Sequence, residues 1–323
     1  MRILFHSTDR LYATTSDIFQ VVECRGCRLI RLNPQPTPAE LHKFYPPNYW
    51  FSPEATAAAQ MEQMYRRIVL GDHLRFVERA LRESEQSGAV LDVGCGGGLF
   101  LQLLRERGHS GNARPFVGLD FSLDAASAAW RVGKVGVACG SLTQSPFAAG
   151  SCAAVTMFHV LEHLHDPASY LEAAHRLLAP DGRLIVQVPN AACWQFLLFG
   201  ERWNGIDVPR HLIDFRASDL DQLLDTCGFE VLRHKHFSLR DNPAGMATSL
   251  LRSSTPCRAA CAKSTTPMAC ALPRIFSTWD WSASASRSPC SKRCAAPGRP
   301  SWSRPAKKVS GRIEHGSGQV HRL

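Results

Sequence analysis

No stretch of this 323-residue chain approaches the ~20 consecutive apolar residues that a membrane-spanning helix needs. The opening Met1-Arg2-Ile3-Leu4-Phe5-His6 holds too brief an apolar run for the core of a secretory signal, so no membrane role and a cytoplasmic location are expected. No internal repeat is visible, which argues against a solenoid or propeller. Acidic residues are nearly missing from the C-terminal quarter: positions 251–323 hold 13 Lys and Arg against Asp280 and Glu314. The formal charge of +9 therefore sits there, and the rest balances 24 basic against 26 acidic residues. A basic excess would ordinarily point to nucleic acid, but this one does not belong to the part expected to fold. Twelve cysteines in a long chain without an export signal suggest thiols or metal ligands rather than a disulfide scaffold.

What is present falls into four stretches. Residues 1–50 read as short strands and turns around Cys24-Arg-Gly-Cys27, then a proline-rich run in which Thr37 and Pro38 can cap and open a short helix through Phe44. Residues 51–85 carry apolar side chains at helical spacing from Met61 to Leu81 and predict one or two connecting helices. Residues 86–248 alternate strand runs (Ala89–Val93, Phe116–Asp120, Ala153–Phe158, Gly182–Val188) with helical patterns at Leu99–Arg107, Asp124–Arg131 and Pro167–Leu178. Such alternation implies right-handed β-α-β crossovers, hence an α/β fold with a doubly wound, mostly parallel sheet. A helix at Ser218–Asp225 and strands at Phe229–Arg233 and His236–Leu239 would close it. Residues 249–323 lose periodicity after Leu251. Their Ser, Ala, Pro, Arg and Cys match a disordered basic tail, and also the product of GC-rich codons read out of frame.

The sharpest signal is Val90-Leu-Asp-Val-Gly-Cys-Gly-Gly-Gly-Leu-Phe100, a buried strand running through glycines into a helix. Glycines there allow positive φ and close backbone approach by a ligand. A nicotinamide-binding loop would need glycine where Leu99 stands, and a Walker-type loop would need Gly-Lys-Ser or Gly-Lys-Thr. Asp120 ends the second strand, 22 residues after Gly98, where a carboxylate can accept both hydroxyls of a ribose.

With strand-Asp-x-Gly-x-Gly-x-Gly followed by strand-Asp, the segment from about residue 86 to 240 resembles the class I, Rossmann-like methyltransferase family, in particular its ubiquinone O-methyltransferase-like branch. The resemblance implies S-adenosyl-L-methionine as cofactor and methyl transfer to a small-molecule acceptor, most readily a hydroxyl oxygen. It also implies a cofactor set of Asp92, Gly94, Cys95, Gly96, Gly98, Asp120, Phe121, Ser141, Leu142 and Phe158. Asp92 would order the loop near the methionine end and Phe121 would flank the adenine, while Ser141-Leu142 stands where the family often has an acid.

The run His159-Val-Leu-Glu162-His163-Leu-His-Asp166-Pro167 follows the third strand, at the mouth where α/β enzymes bind ligands. In a helical turn His159, Glu162 and His163 would share a face, giving a histidine base, His163 or His159, oriented by Glu162. The same groups can equally serve only to cap and orient the loop, and Asp166 reads as a helix N-cap. Ubiquinone-type enzymes have Glu-x-x-Glu-His here, a set linked to a divalent metal, whereas this chain has His159 at the first position. Farther on, Arg210 and His211 lie in a loop able to cover an acceptor. Cys24 and Cys27 resemble half of the zinc ribbon that precedes the methyltransferase domain in related bacterial enzymes, with only His6 nearby to add a ligand. The competing classes are an RNA-modifying or nucleic-acid-binding protein, against which stands the absence of a basic stripe with interleaved aromatics, and a catalytically inactive cofactor-binding module.

Overall fold

Alternating burial builds the first sheet. The strands β1 (Arg2–Ser7), β2 (Phe19–Glu23) and β3 (Ile30–Asn33) pair antiparallel, and Val21, Ile30 and Leu32 face inward at about 1% exposure. These coordinates are a computed structural model that describes residues 1–46, 64–84, 86–107, 114–238, 241–251 and 311–316. The expected short helix is there: Thr37 and Glu40 form a capping box over α1 (Pro38–Leu41), which a turn at His42–Phe44 extends. Of the connecting helices, α2 (Gly71–Glu83) buries Leu74, Val77 and Leu81; residues 51–63 lie outside the described residues.

The second sheet is the doubly wound one. Its strands are β4 (Ala89–Val93), β5 (Phe116–Asp120), β6 (Gly136–Cys139), β7 (Cys152–Phe158) and β8 (Leu178–Gln187), interleaved with α3 (Leu99–Glu106), α4 (Leu123–Arg131) and α5 (Pro167–Leu177). After α6 (Trp194–Phe199), the two-residue strand β9 (Ile213–Asp214) pairs with β3 and so joins the first sheet. The strand β10 (Phe229–Lys235) follows α7 (Ala217–Thr226), and with β11 (Gly311–Gly316) the order of the large sheet is β10-β11-β8-β7-β4-β5-β6, every pair parallel. Its central strands are buried on both faces. Leu91, Val155 and Leu184 enter one core while their neighbours Val90, Ala154 and Ile185 enter the other, as the period-two alternation of a strand requires.

Several expectations change. The strand β6 carries no strong apolar run and went unforeseen, and β8 begins at Leu178 rather than Gly182. Residues 236–238 form no strand, and α8 (Asp241–Leu251) continues past residue 249. The tail was expected to stay outside the fold, yet Gly311–Gly316 forms β11 between β8 and β10. Its parallel backbone ladder fills the gap between two edges that would otherwise carry unpaired groups. Residues 252–310 and 317–323, with Cys257, Cys261, Cys270, Cys290 and Cys294, lie outside the described residues.

Candidate active site

The sheet reverses its winding between β4 and β7: from β4 the chain moves outward to β5 and β6, then returns to β7 on the other side. Loops that leave the carboxyl ends of strands at such a point diverge and open a crevice. The glycine loop after β4 lies there. Gly94, Gly96 and Gly98 hold φ of +72°, +52° and +75°, conformations that a side chain would strain. The amides of Gly94 and Cys95 donate to Leu119 O at 2.7 and 3.3 Å, which fixes the loop against β5. A Cβ on Gly96 would meet nothing within 4 Å, because that position opens onto a cavity of about 850 Å³. Gly98 serves packing instead: its Cβ would lie 3.1 Å from Ala129 Cβ, where α3 begins.

Asp120 stands across from this loop, also on the cavity wall. Its Oδ2 accepts from Gly96 N and its Oδ1 from Ser122 N, both at 2.9 Å. Burial raises its pKa, an effect only partly offset by the two amides. Asp92 accepts from Thr156 Oγ1 at 2.6 Å and borders the same space. Cys95, Phe121, Leu142 and Phe158 also line it. Phe121 is 62% exposed on this wall, and the Tyr45 ring meets it edge to face at 6.4 Å between centroids. The Ser141 hydroxyl is instead tied to Thr143 Oγ1 and Tyr170 OH at 2.9 and 3.0 Å; it is Tyr170 that reaches the wall. Sequence reasoning also missed the first sheet's share of the cavity, namely Tyr12, Leu41, His42 and Tyr45. No periodicity marks a residue that reaches a site from another sheet.

The segment after β7 does not make the simple helical turn expected. His159 takes φ +57°, left-handed backbone for a side-chain-bearing residue, and the 3₁₀ turn Leu161–His163 follows. The three candidates therefore divide. Glu162 Oε1 lies 3.1 Å from His159 Nδ1, so Glu162 orients His159 and not His163. Burial would lower the His159 pKa, but Asp241 and Glu162 together raise it to about 9. His163 turns its Nδ1 to Arg210 O at 3.1 Å and Tyr45 OH at 3.2 Å, and burial lowers its pKa to about 4. Both histidines border the cavity. Glu162 is fully buried, and its Oε2 has no hydrogen-bond partner among the described residues. The divalent-metal set implied by the resemblance does not fit, because His159 supplies an imidazole bound to Glu162 where a carboxylate would stand. Asp166 caps α5 through Ser169 N at 3.2 Å, as its sequence context foretold.

Arg210 and His211 are not placed to meet an acceptor. Arg210 is fully buried, with Nη2 2.7 Å from Asp9 Oδ1 and 2.6 Å from Asp207 Oδ1. An arginine so paired tethers the first sheet to the loop and has no fork left for a substrate anion. His211 is buried as well, and its Nδ1 lies 2.8 Å from Gly205 O and 3.4 Å from the Asp207 amide. Cys24 and Cys27 sit in the β2–β3 turn, where amides of Cys27 and Gly26 lower the Cys24 pKa to about 7. Among the described residues no third metal-ligating group joins them.

A family described as a methyltransferase domain matches residues 62–234. A protein described as a probable S-adenosylmethionine-dependent methyltransferase from Mycolicibacterium smegmatis is 33% identical over 148 residues, covering 44% of this chain and 52% of that protein. A ubiquinone biosynthesis O-methyltransferase of Pseudomonas paraeruginosa is 34% identical over 155 residues, covering 44% of this chain and 64% of its own length. The chain thus spans between about half and two thirds of these curated relatives. Among solved structures, a SAM-dependent methyltransferase from Archaeoglobus fulgidus superposes with a TM-score of 0.41 at 22% identity, over 54% of this chain and 75% of that one.

Proposed function

The chain belongs to the methyltransferase domain family, and from that premise we propose that it transfers the methyl group of S-adenosylmethionine to a hydroxyl oxygen of a small, ring-bearing molecule. The observation that carries this is the pairing of Gly96 with Asp120: an open glycine beside a carboxylate already anchored by two amides, both on one cavity. Each Asp120 oxygen keeps a lone pair for a ribose hydroxyl, Phe121 offers a ring face to an adenine, and Asp92 with Gly94 borders the methionine end. S-adenosylmethionine, when bound, supplies a methyl carried on a good leaving group.

The protein's share is alignment and proton removal. Holding acceptor and methyl in line is worth several kcal/mol. Tyr12, Tyr45 and Phe158 line the cavity with rings, which supports a cyclic acceptor. Glu162 holds His159 through Nδ1 while the ring's Nε2 faces Gln187 Nε2 at 3.1 Å and Asp241 at 3.5 Å, so it is the neutral imidazole, dominant only above its pKa of about 9, that takes the acceptor's proton. The relative's name, a ubiquinone biosynthesis O-methyltransferase, supports oxygen as the atom methylated.

Calorimetric titration of the full chain with S-adenosylmethionine, then a screen of hydroxylated aromatics with labelled methyl donor, tests this reading. Binding should occur, and Asp120→Ala should weaken it by roughly 1–3 kcal/mol. Equal affinity in that variant would remove the proposed site.

A further inference from the structure

A row of polar side chains runs back from His159 into the protein. Gln187, at the end of β8, is 3% exposed and turns its Nε2 to His159 Nε2 at 3.1 Å. The same amide nitrogen donates to Asp241 Oδ2 at the start of α8, and Gln187 Oε1 meets Nε2 of the buried His73 in α2. His73 Nδ1 lies 3.0 Å from Asp72 Oδ1, and Asp72 Oδ2 accepts from Lys235 Nζ of β10 at 2.8 Å. Five segments distant in sequence thus meet behind one imidazole of the cavity wall.

Carboxylates only accept, and that settles the hydrogen-bond roles. Asp241 requires the nitrogen of the Gln187 amide to face it, so the amide oxygen faces His73 and His73 Nε2 is a donor. Asp72 requires the same of His73 Nδ1. His73 therefore carries a proton on each ring nitrogen and is a buried cation. Asp241 Oδ2 stands between two imidazoles, 3.9 Å from His73 Nε2 and 3.5 Å from His159 Nε2. Ser238 pins it there: the hydroxyl donates to Asp241 Oδ2 at 2.7 Å and accepts from Asp241 N at 3.1 Å. His159 Nε2 is thus flanked by one donor and one acceptor. When neutral it accepts from Gln187; when protonated it donates to Asp241.

We propose, on the reading of His159 as the base, that Asp241 is a positioning residue for methyl transfer: backed by Gln187 and His73, it holds the proton that His159 takes from the acceptor. The hydroxyl oxygen bonds to the methyl carbon, the carbon–sulfur electrons stay on sulfur, and the O–H proton passes to His159 Nε2. Lys235, Asp72, His73, Asp241, His159 and Glu162 then alternate in sign, three cations against three carboxylates. With His159 neutral the row keeps one negative charge in excess, which burial makes costly. Burial above all lowers the pKa of His163 and His211 to about 4, so neither adds a cation beside Glu162.

Nuclear magnetic resonance of the full-length, ¹⁵N-histidine-labelled protein reads the proton directly. In wild type the His159 ring should titrate near pH 9, and both His73 ring nitrogens should show bonded protons. A carboxylate beside an imidazole favours its charged form, so Asp241→Asn, which keeps the shape and loses the charge, should lower the His159 midpoint by at least about one pH unit. Asp221→Asn, whose carboxylate meets His234 at the surface, should leave that midpoint in place. The rising limb of turnover against pH should move to lower pH with the ring in Asp241→Asn, while affinity for S-adenosylmethionine is kept and reports that the domain is folded. A wild-type midpoint at the ordinary 6.5, which needs no variant, or an unchanged midpoint in folded Asp241→Asn would overturn the proposal. A midpoint that moves beneath an unmoved turnover profile would support the hold of Asp241 on the His159 proton and remove His159 as the base.

Discussion

Arg210 grips Asp9 across 201 positions of sequence, Nη2 to Oδ1 at 2.7 Å and Nη1 to Oδ2 at 3.0 Å, with neither side chain reaching solvent. Asp207 takes the remaining edge of the guanidinium, through Nε at 2.9 Å and Nη2 at 2.6 Å. Two segments distant in the chain, the turn after β1 and the loop before β9, are thereby joined by one cation between two carboxylates.

Breaking that joint should be expensive. Arg210→Ala leaves two buried carboxylates facing each other and is expected to cost about 3–5 kcal/mol in urea denaturation. Asp9→Asn combined with Arg210→Met should cost less than the two single changes added together. A loss below about 1 kcal/mol in Arg210→Ala would mean the pair is not buried as described.

The same pair predicts a pH dependence. Burial alone would raise the Asp9 carboxyl, but hydrogen bonds from Arg210, Thr14 and the Tyr12 amide bring it from 3.8 down to about 2. A depressed folded-state pKa gives stability that is present above pH 3.8 and lost as pH falls toward 2, here about 2 kcal/mol. The stability gap between wild type and Asp9→Asn, measured by denaturant at stepped pH, should therefore narrow across that window. A gap that stays constant would show that Asp9 titrates as an ordinary carboxylate.

Glycine substitutions separate cofactor space from packing space. Gly96→Ala places a methyl where nothing lies within 4 Å, so only the backbone strain of φ +52° acts on the free protein, about 1–2 kcal/mol. The same methyl enters the cavity and should weaken S-adenosylmethionine binding further. Gly98→Ala, pressed toward Ala129, should lower stability yet leave the affinity of the folded fraction nearly unchanged. If the two variants bind the cofactor equally, the floor of its site lies elsewhere.

His159→Asn tests the base. Asparagine tolerates left-handed backbone, so the substitution keeps φ +57° accessible and removes only the imidazole. The turnover number should fall by about 10²–10⁴ with S-adenosylmethionine affinity retained. Full turnover in this variant would assign proton removal to another group.

Much of the cofactor half was legible because it is local. Strands β4 and β5 are contiguous apolar runs, and the glycines and Asp120 lie in the turns that follow them. The other half depends on what meets across sequence. Arg210 looks like a surface cation until Asp9 is brought to it, and His163 looks like a partner of Glu162 until the positive φ at His159 turns the segment. Tyr45 and Tyr12 carry no motif and gain meaning only from where the first sheet is laid. The strand β11 was missed because its neighbours, not its own apolar content, place it.

The fourth strand of the first sheet is β9, and that fixes an order of events during synthesis. The hairpin segments carrying Val21, Ile30 and Leu32 leave the ribosome while Ile213 and Asp214 are still unmade, and so is the Arg210 that neutralises Asp9. Until then their apolar side chains and a lone carboxylate must wait without the surfaces that later cover them. A sheet begun at residues 2–33 is thus finished only when residues 213–214 have been made, and a nascent chain stalled before residue 210 would expose to chaperones and proteases a sheet that the folded molecule hides.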